Sequence, residues 1–228
     1  LKSLERHKIP IDIITGASAG AITATALAVG MSIDEMIRIV QRIKIKDIMS
    51  LSLKDDTGIL SFERFFNIIQ SYVGDKEFKD LGIRLGLVAN NVETCEEVYF
   101  TEGNVWTALT ACFGISGLYP ASQYRNLKLV DGGFLNPLPV NLARSLGANI
   151  IIAVDIGSHR RDNFSIPNPA FGNLQKIFRF VYPQILLANG MLTLLRRTAG
   201  LGHTNSIQRC IEEFKPDILV QLDPKLKS

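Results

Sequence analysis

Residues 11–20 read Ile11-Asp12-Ile13-Ile14-Thr15-Gly16-Ala17-Ser18-Ala19-Gly20, a strand-like run that ends in a G-x-S-x-G motif. The Ala-rich stretch Ala21–Val29 follows, with the composition of a helix. A strand that turns sharply into a helix at such a motif presents the serine hydroxyl at the helix N-terminus. Four small residues permit the tight turn: Gly16, Ala17, Ala19 and Gly20. The stretch therefore predicts an α/β fold in which Ser18 is a nucleophile.

The composition suits a single domain of moderate size. The chain has 228 residues, of which 46% are hydrophobic, and this is enough for a packed core. A net charge of +3, without a basic stripe of interleaved aromatic residues, argues against a nucleic-acid partner. The longest apolar stretch, 181–192, is interrupted by proline and polar residues. It falls short of the roughly 20 apolar residues that a membrane span needs.

The cysteines and the first eight residues indicate where in the cell the protein is expected. Cys95, Cys112 and Cys210 have no C-x-x-C spacing, so we expect buried thiols in a reducing compartment, without a disulfide or metal role. Residues 1–8 look like the last turns of an amphipathic helix. We interpret the sequence as N-terminally truncated, which leaves a signal peptide open. The expected location is the cytoplasm or the surface of a membrane.

Strand and helix patterns alternate along the chain, which predicts αβα layering around a mainly parallel sheet. The predicted strands cover residues 11–15, 83–89, 97–100, 127–130, 149–156 and 218–222. The predicted helices cover residues 19–29, 32–43, 62–73, 105–113, 139–146 and 174–197. Residues 150–154 are apolar at every position, so we expect both faces of that strand to be covered.

The second motif is Asp131-Gly132-Gly133, directly after a predicted strand. The carboxyl end of a strand is where ligands bind in open α/β sheets. The two glycines let the backbone turn sharply and let another group approach Asp131 closely. A simple turn-forming aspartate is the alternative for this motif taken alone. Beside the Ser18 motif, the functional interpretation is the stronger one.

A serine nucleophile needs a base, and the chain has three histidines: His7, His159 and His203. The order Ser18, Asp131, His203 matches that of an α/β-hydrolase triad. However, only 15 residues precede Gly16, and no apolar strand leads to His203. A partly desolvated carboxylate hydrogen-bonded to the serine can itself accept the proton. The sequence therefore favours Asp131 as the base, with His203 as the alternative.

Ile9–Ala21 and Val130–Val140 together resemble the corresponding motifs of patatin-like phospholipases, and Ala143–Asp155 is also similar. The resemblance covers most of residues 1–157. It implies a three-layer αβα fold and a Ser–Asp dyad at Ser18 and Asp131, without metal or cofactor. It also implies hydrolysis of acyl esters in phospholipids, lysophospholipids or related lipids. We expect residues 1–228 to form one patatin-like domain, with 158–228 as a C-terminal helical extension or lid.

The sequence departs from the family pattern in two places. The family carries a G-G-G-x-R-G loop before the nucleophile strand, which supplies the amides of the oxyanion hole, and this sequence holds no such loop. Ser116 stands where the family more often has proline. Residues 174–197 have apolar positions at helical spacing with basic residues nearby, so they fit a core helix or a lipid-facing lid.

The expected chemistry is a two-step acyl transfer through an acyl-enzyme on Ser18, with the Ala19 amide contributing to the oxyanion site. The expected partners are an acyl-ester lipid and the surface of a membrane. Two other functions stay open. One is a catalytically impaired lipid-binding or regulatory module, and the other is an acyltransferase that captures the acyl group with an alcohol or thiol.

Overall fold

The structure, a computed structural model, describes residues 1–42, 50–51, 60–61, 63–113, 121–156, 202 and 204–221. Several sequence predictions therefore lie outside the described residues. They are those made for Ser116, His159, His203 and residues 174–197.

Most predicted elements are present, with ends that differ by a few residues. The helices are α1 (Lys2–Arg6), α2 (Ala19–Ala28), α3 (Ile33–Arg42), α4 (Glu63–Val73), α5 (Val105–Ala111), α6 (Val140–Ser145) and α7 (204–214). The strands are β1 (Ile13–Ala17), β2 (Ser50–Leu51), β3 (Leu60–Ser61), β4 (Arg84–Asn91), β5 (Glu96–Phe100), β6 (Ser122–Tyr124), β7 (Leu127–Asp131), β8 (Ile152–Asp155) and β9 (Ile218–Gln221). Short 3-10 turns cover Phe78–Asp80 and Gly132–Phe134.

Local signals explain where several helices begin and end. The hydroxyl of Ser32 accepts a hydrogen bond from the Glu35 amide (3.3 Å) at the start of α3, as the sequence pattern predicted. The side chain of Asn104 accepts one from the Thr107 amide (2.9 Å) at the start of α5. Gly30, at φ 93°, follows α2 in the left-handed region that favours glycine.

The main sheet is built around β4. Its residues 84–88 pair in parallel with β1, and its residues 89–91 pair antiparallel with β7. Its residues 87–91 pair antiparallel with β5 on the opposite edge, and β6 pairs with β7. Strands β1 and β7 therefore follow one another along the same edge of β4.

The described strands of the main sheet form a mixed sheet in which β1–β4 is the parallel pair, whereas the sequence pattern predicted a mainly parallel sheet. The physical reason lies in the connections. Only residues 92–95 join β4 to β5, and only residues 125–126 join β6 to β7. Connections this short close antiparallel hairpins, because a parallel crossover needs a dozen or more residues.

Helices pack on both faces of this sheet. Leu85, Leu87 and Ala89 alternate along β4 and join a buried cluster with α2 and α5 on one face. Val88 points the other way, and packs with Ala17 and with a leucine of α6. The predicted α/β class and three-layer αβα arrangement are confirmed.

Strands β8 and β9 form a separate parallel pair, and one of its faces is open among the described residues. Ile151 and Ala153 are buried against α6 and α7. Ile150 is 74% exposed and Val154 55% exposed. The prediction that both faces of this strand are covered is wrong for the described part of the chain, because the described helices pack against only one face.

The structure also tests two further expectations, that the cysteines are buried and that no segment spans a membrane. Cys112 and Cys210 are buried free thiols, as predicted. Cys95 is exposed, and the prediction is wrong there, because this residue lies in the turn between β4 and β5 at φ 56°. Among the described helices, none has the length and hydropathy to span a membrane.

Candidate active site

Ser18 lies where β1 ends and α2 begins. Its backbone has φ 55° and ψ −127°, a strained conformation for a residue other than glycine. A sharp, strained strand-to-helix turn of this kind exposes the hydroxyl of a nucleophilic serine. A Cβ built at Gly16 would lie 2.7 Å from the backbone nitrogen of Ala21 and closer still to the carbonyl of Gly20. The helix can therefore fold back over β1 only if residue 16 is glycine.

The sheet register brings Asp131 to the same point. Ala17, the last residue of β1, pairs with Val88, and Asp131, the last residue of β7, pairs with Ala89. Because β1 runs parallel to β4 and β7 runs antiparallel to it, the carboxyl ends of β1 and β7 meet head-on. Ser18 and Asp131 thus occupy adjoining strand ends.

The two glycines after Asp131 permit this close approach. A Cβ built at Gly132 would lie 2.6 Å from the carbonyl carbon of Val88, so no side chain fits there. A Cβ built at Gly133 would lie 3.8 Å from the Cβ of Ser18 and 3.0 Å from Oδ1 of Asp131. The turn after β7 therefore passes directly over β4 and against Ser18.

Asp131 is held from several sides and is only 6% exposed. The Gly133 amide donates to its Oδ1 at 2.7 Å, which fixes the orientation of the carboxylate. The Asn90 side-chain amide donates to its backbone carbonyl at 2.8 Å. Burial raises the pKa of the Cys112 thiol well above its ordinary value, and the charge of Asp131 raises it further. This neighbouring thiol is therefore neutral and does not compete as a base.

The N-terminus of α2 is accessible beside Ser18. Ser18 is half-buried, whereas Ala19 and Gly20 are exposed. The first amides of a helix have no intrahelical partner, and the helix dipole places partial positive charge there. The first turn of α2 carries no acidic residue to offset this field. A negative charge that develops on a group bound to Ser18 would be stabilised at this position.

His7, the one histidine within the described residues, lies far from this site. It follows the last residue of α1, and its Nδ1 is 2.8 Å from the Ser3 carbonyl. A cavity lined partly by Leu1, Glu5 and Leu27 places α1 beside the carboxyl end of α2, whereas Ser18 lies at its amino end. A helix of 10 residues is about 15 Å long. His7 is therefore not the base for Ser18.

Two asparagines near Asp131 had no role in the sequence analysis. Asn90 supports the Asp131 backbone, and Asn136, at the end of the turn, is fully buried. The polar pair Asn90-Asn91, at the end of an otherwise apolar strand, is a sequence signal that could have identified residues near Asp131.

In the described ranges, no group of three or more His, Cys, Asp or Glu side chains could hold a metal ion.

Both motifs fall within a match to a known family. A family model described as patatin-like phospholipase matches residues 1–144. The chain belongs to the patatin-like phospholipase family. Ser18 and Asp131 lie inside the matched range, whereas β8, β9 and α7 lie beyond it.

Relatives of this patatin-like chain are much longer proteins. Rat patatin-like phospholipase domain-containing protein 7 is 30% identical over 176 residues, which is 74% of this chain and 13% of the relative. Lysophospholipase NTE1 of Candida albicans is 31% identical over 163 residues, 68% of this chain and 12% of the relative. Mouse patatin-like phospholipase domain-containing protein 6 is 27% identical over 176 residues, 72% of this chain and 13% of the relative. The chain thus spans about an eighth of the length of these relatives.

Proposed function

We propose that this chain carries the catalytic centre of a serine lipid acyl hydrolase, in which Ser18 is the nucleophile and Asp131 its base. The observation that carries the proposal is the head-on approach of β1 and β7 along one edge of β4, which puts the two residues at adjoining strand ends. The strained backbone of Ser18 supports the same assignment, because strain of this kind concentrates at functional sites.

The proposed reaction has two steps. Ser18 Oγ attacks the ester carbonyl carbon while the Asp131 carboxylate accepts the hydroxyl proton. Asp131 returns this proton to the leaving alcohol as the C–O bond breaks, which leaves an acyl group on Ser18. Water then attacks the acyl carbon while Asp131 takes its proton, and Asp131 returns this proton to Ser18 Oγ as the acyl C–Oγ bond breaks and the fatty acid leaves. The exposed amide end of α2, beginning at Ala19, stabilises the oxyanion in both steps.

The proposed substrates are phospholipids or lysophospholipids. This class follows from membership of the patatin-like phospholipase family and from relatives whose names include phospholipase and lysophospholipase.

The proposed base, Asp131, needs no third residue to select its tautomer, because a carboxylate, unlike an imidazole, presents equivalent oxygens.

Labelling with a fluorophosphonate tests the dyad. We expect the wild-type chain to be modified at Ser18 and Ser18→Ala to be unmodified. Asp131→Asn lowers the labelling rate at least about 100-fold, because general-base catalysis contributes that much or more. Asp12→Asn and Ser71→Ala are matched controls, since both residues are exposed and lie elsewhere in the fold. Mass spectrometry locates the adduct, and circular dichroism checks folding.

Other outcomes would identify the alternatives. A folded wild-type chain that is not labelled indicates a lipid-binding module. Full labelling of Asp131→Asn together with loss of labelling in His203→Ala would contradict the dyad in favour of a histidine base. For a labelled chain, product analysis with an added alcohol acceptor separates hydrolysis from acyl transfer, and hydrolysis predicts free fatty acid under both conditions.

A further inference from the structure

Asn136 closes the turn that follows Asp131. Its backbone amide donates to the Gly132 carbonyl at 3.0 Å, so residues 132–136 form a compact turn with Asp131 at one end. The Asn136 side chain is fully buried. A buried amide is costly unless hydrogen-bonded, so its partners determine where the turn sits.

These partners form a closed ring of four side chains, which we call the Asn136 ring: Glu97, Tyr99, Asn136 and Asn141. Asn136 Nδ2 donates to Glu97 Oε2 at 2.7 Å and to Asn141 Oδ1 at 2.8 Å. Asn141 Nδ2 donates to the Tyr99 hydroxyl at 2.8 Å. The Tyr99 hydroxyl donates to Glu97 Oε2 at 2.6 Å, which completes the ring. The ring therefore ties the turn to β5 and to α6.

The raised pKa of Tyr99 determines the direction of its hydrogen bond to Glu97. Partial burial, followed by the hydrogen bond to Glu97 and the charge of that carboxylate, raises the pKa of Tyr99 to about 12. The phenol therefore stays protonated and acts as a donor to Glu97 at neutral pH. The Arg209 guanidinium lies 3.8 Å from Glu97 Oε1, so an ion pair joins the ring to α7.

Helix α7 holds the outer side of the same turn. Ser206 Oγ donates to the Phe134 carbonyl at 2.9 Å, and an Arg209 side-chain nitrogen donates to the Leu135 carbonyl at 2.9 Å. Cys210 Sγ lies 3.5 Å from Asn136 Oδ1, within hydrogen-bonding reach for sulfur. Three consecutive residues of the turn are therefore fixed by one face of α7.

We infer that the Asn136 ring positions Asp131 against Ser18, and that Glu97, Tyr99 and Asn141 are positioning residues for the dyad. This inference rests on the proposed function. Asp131 is joined to the turn through Gly132 and Gly133, which by themselves leave the backbone free. The ring and α7 remove this freedom on the far side of the turn. Small displacements of a catalytic group cost as much as about 100-fold in rate, so anchoring of the turn bears directly on catalysis.

The test opens the ring at one residue, where two of its hydrogen bonds meet. Tyr99→Phe removes the hydroxyl that links Asn141 to Glu97 and keeps the aromatic ring. We expect a roughly three- to tenfold lower kcat on a short-chain nitrophenyl ester, with KM unchanged, because the turn loses part of its anchoring while the other bonds of the ring remain. The labelling rate of Ser18 falls by the same factor. Tyr72→Phe on α4 and Glu96→Gln on β5 are matched controls outside the ring, and both keep wild-type rates.

Combining Tyr99→Phe with Asp131→Asn distinguishes a role in positioning Asp131 from a general role in stabilising the fold. If the ring acts through Asp131, then Tyr99→Phe has no further effect on the residual labelling rate of Asp131→Asn. An equal loss in both backgrounds would overturn the positioning role. Unchanged labelling in Glu97→Gln and Tyr99→Phe, with Ser18→Ala unlabelled and Asp131→Asn slow, would also overturn it and leave the proposed function intact. A folded wild-type chain without labelling overturns both proposals.

Discussion

At the scale of single residues, the two glycines of the G-x-S-x-G motif have different physical roles. Gly16 faces the returning helix, and a Cβ there would meet the backbone of Gly20 and Ala21. Gly20 lies in the first turn of α2, and a Cβ there would have no atom within 4 Å. The first glycine is therefore required by packing between strand and helix, whereas the second leaves open space beside Ser18.

We expect opposite effects when each glycine is replaced by alanine. Gly16→Ala lowers the free energy of unfolding by about 1–3 kcal/mol, because the backbone must move to admit the methyl group. Gly20→Ala raises it by up to about 1 kcal/mol, since alanine restricts the unfolded chain and favours the helix. Urea unfolding followed by circular dichroism measures both. Equal destabilisation by the two substitutions would contradict this assignment of roles.

The sequence sufficed to nominate Ser18 and Asp131 because each stands in a short motif whose residue types carry the chemistry. Their head-on approach depends on the register of three strands, which no local pattern encodes. Asn136 and Glu97 are 39 residues apart and are brought together only by the turn and β5. A buried asparagine looks like any turn residue until its partners are known, so the ring could not be predicted.

At the scale of elements, β5 carries two members of the Asn136 ring, one of which, Tyr99, has a raised pKa. Glu97 and Tyr99 are two residues apart on this strand and so share one face of the sheet. Glu96 begins the strand and is exposed, whereas Phe100 at its other end is buried in the core of the main sheet. The sequence predicted β5, yet the antiparallel pairing that turns its face toward α6 follows from the short connection after β4.

The raised pKa of Tyr99 predicts a loss of stability at alkaline pH. The ordinary value is 10.0 and the folded value about 12, so the folded state holds the phenol proton more tightly. This contribution is present below pH 10 and is lost as the pH rises toward 12. We expect the melting temperature of the wild type to fall more steeply across this window than that of Tyr99→Phe. Tyr72→Phe is the control, and parallel curves for wild type and Tyr99→Phe would contradict the prediction.

Helix α7 and strand β8 show what periodicity alone leaves undetermined. The sequence analysis expected a helical extension or lid over residues 158–228 but gave no helix bounds at 204–214, although this stretch has Ile207, Cys210, Ile211 and Phe214 on one helical face. In β8, an unbroken apolar run predicted cover on both faces, but β8 alternates between exposed and buried side chains. An apolar run shows that a strand tolerates burial on both faces. Whether both faces are buried depends on which helices pack against them.

At the scale of the whole molecule, α6 connects the main sheet to the β8–β9 pair. Its Leu142 packs against Ala17 and Val88, behind the turn that holds Ser18. Its Val140 and Ala143 belong to the cluster that includes β8 and α7. No hydrogen-bonded strand pairing joins the two sheets within the described residues. The contacts between them include the packing of α6 and the hydrogen bonds from α7 to residues 134–136.

The two buried thiols lie in different hydrophobic clusters, so their reactivity measures how often each cluster opens. Cys112 belongs to the core of the main sheet, and Cys210 belongs to the cluster under β8 and β9. If α6 couples the two clusters into one cooperative unit, both thiols react with a disulfide reagent at one slow rate, whereas exposed Cys95 reacts at once.

The variant Leu142→Ala tests the coupling directly. Leu142 is 2% exposed, and its truncation lowers the free energy of unfolding by about 2–5 kcal/mol. For fast opening and closing, this raises the reaction rates of both Cys112 and Cys210 by roughly 30-fold or more. Val154→Ala, at a position 55% exposed, is the control and leaves both rates near the wild-type values. Mass spectrometry of timed samples follows each thiol separately. Acceleration of Cys112 alone would mean that β8, β9 and α7 open independently of the sheet that carries Ser18 and Asp131.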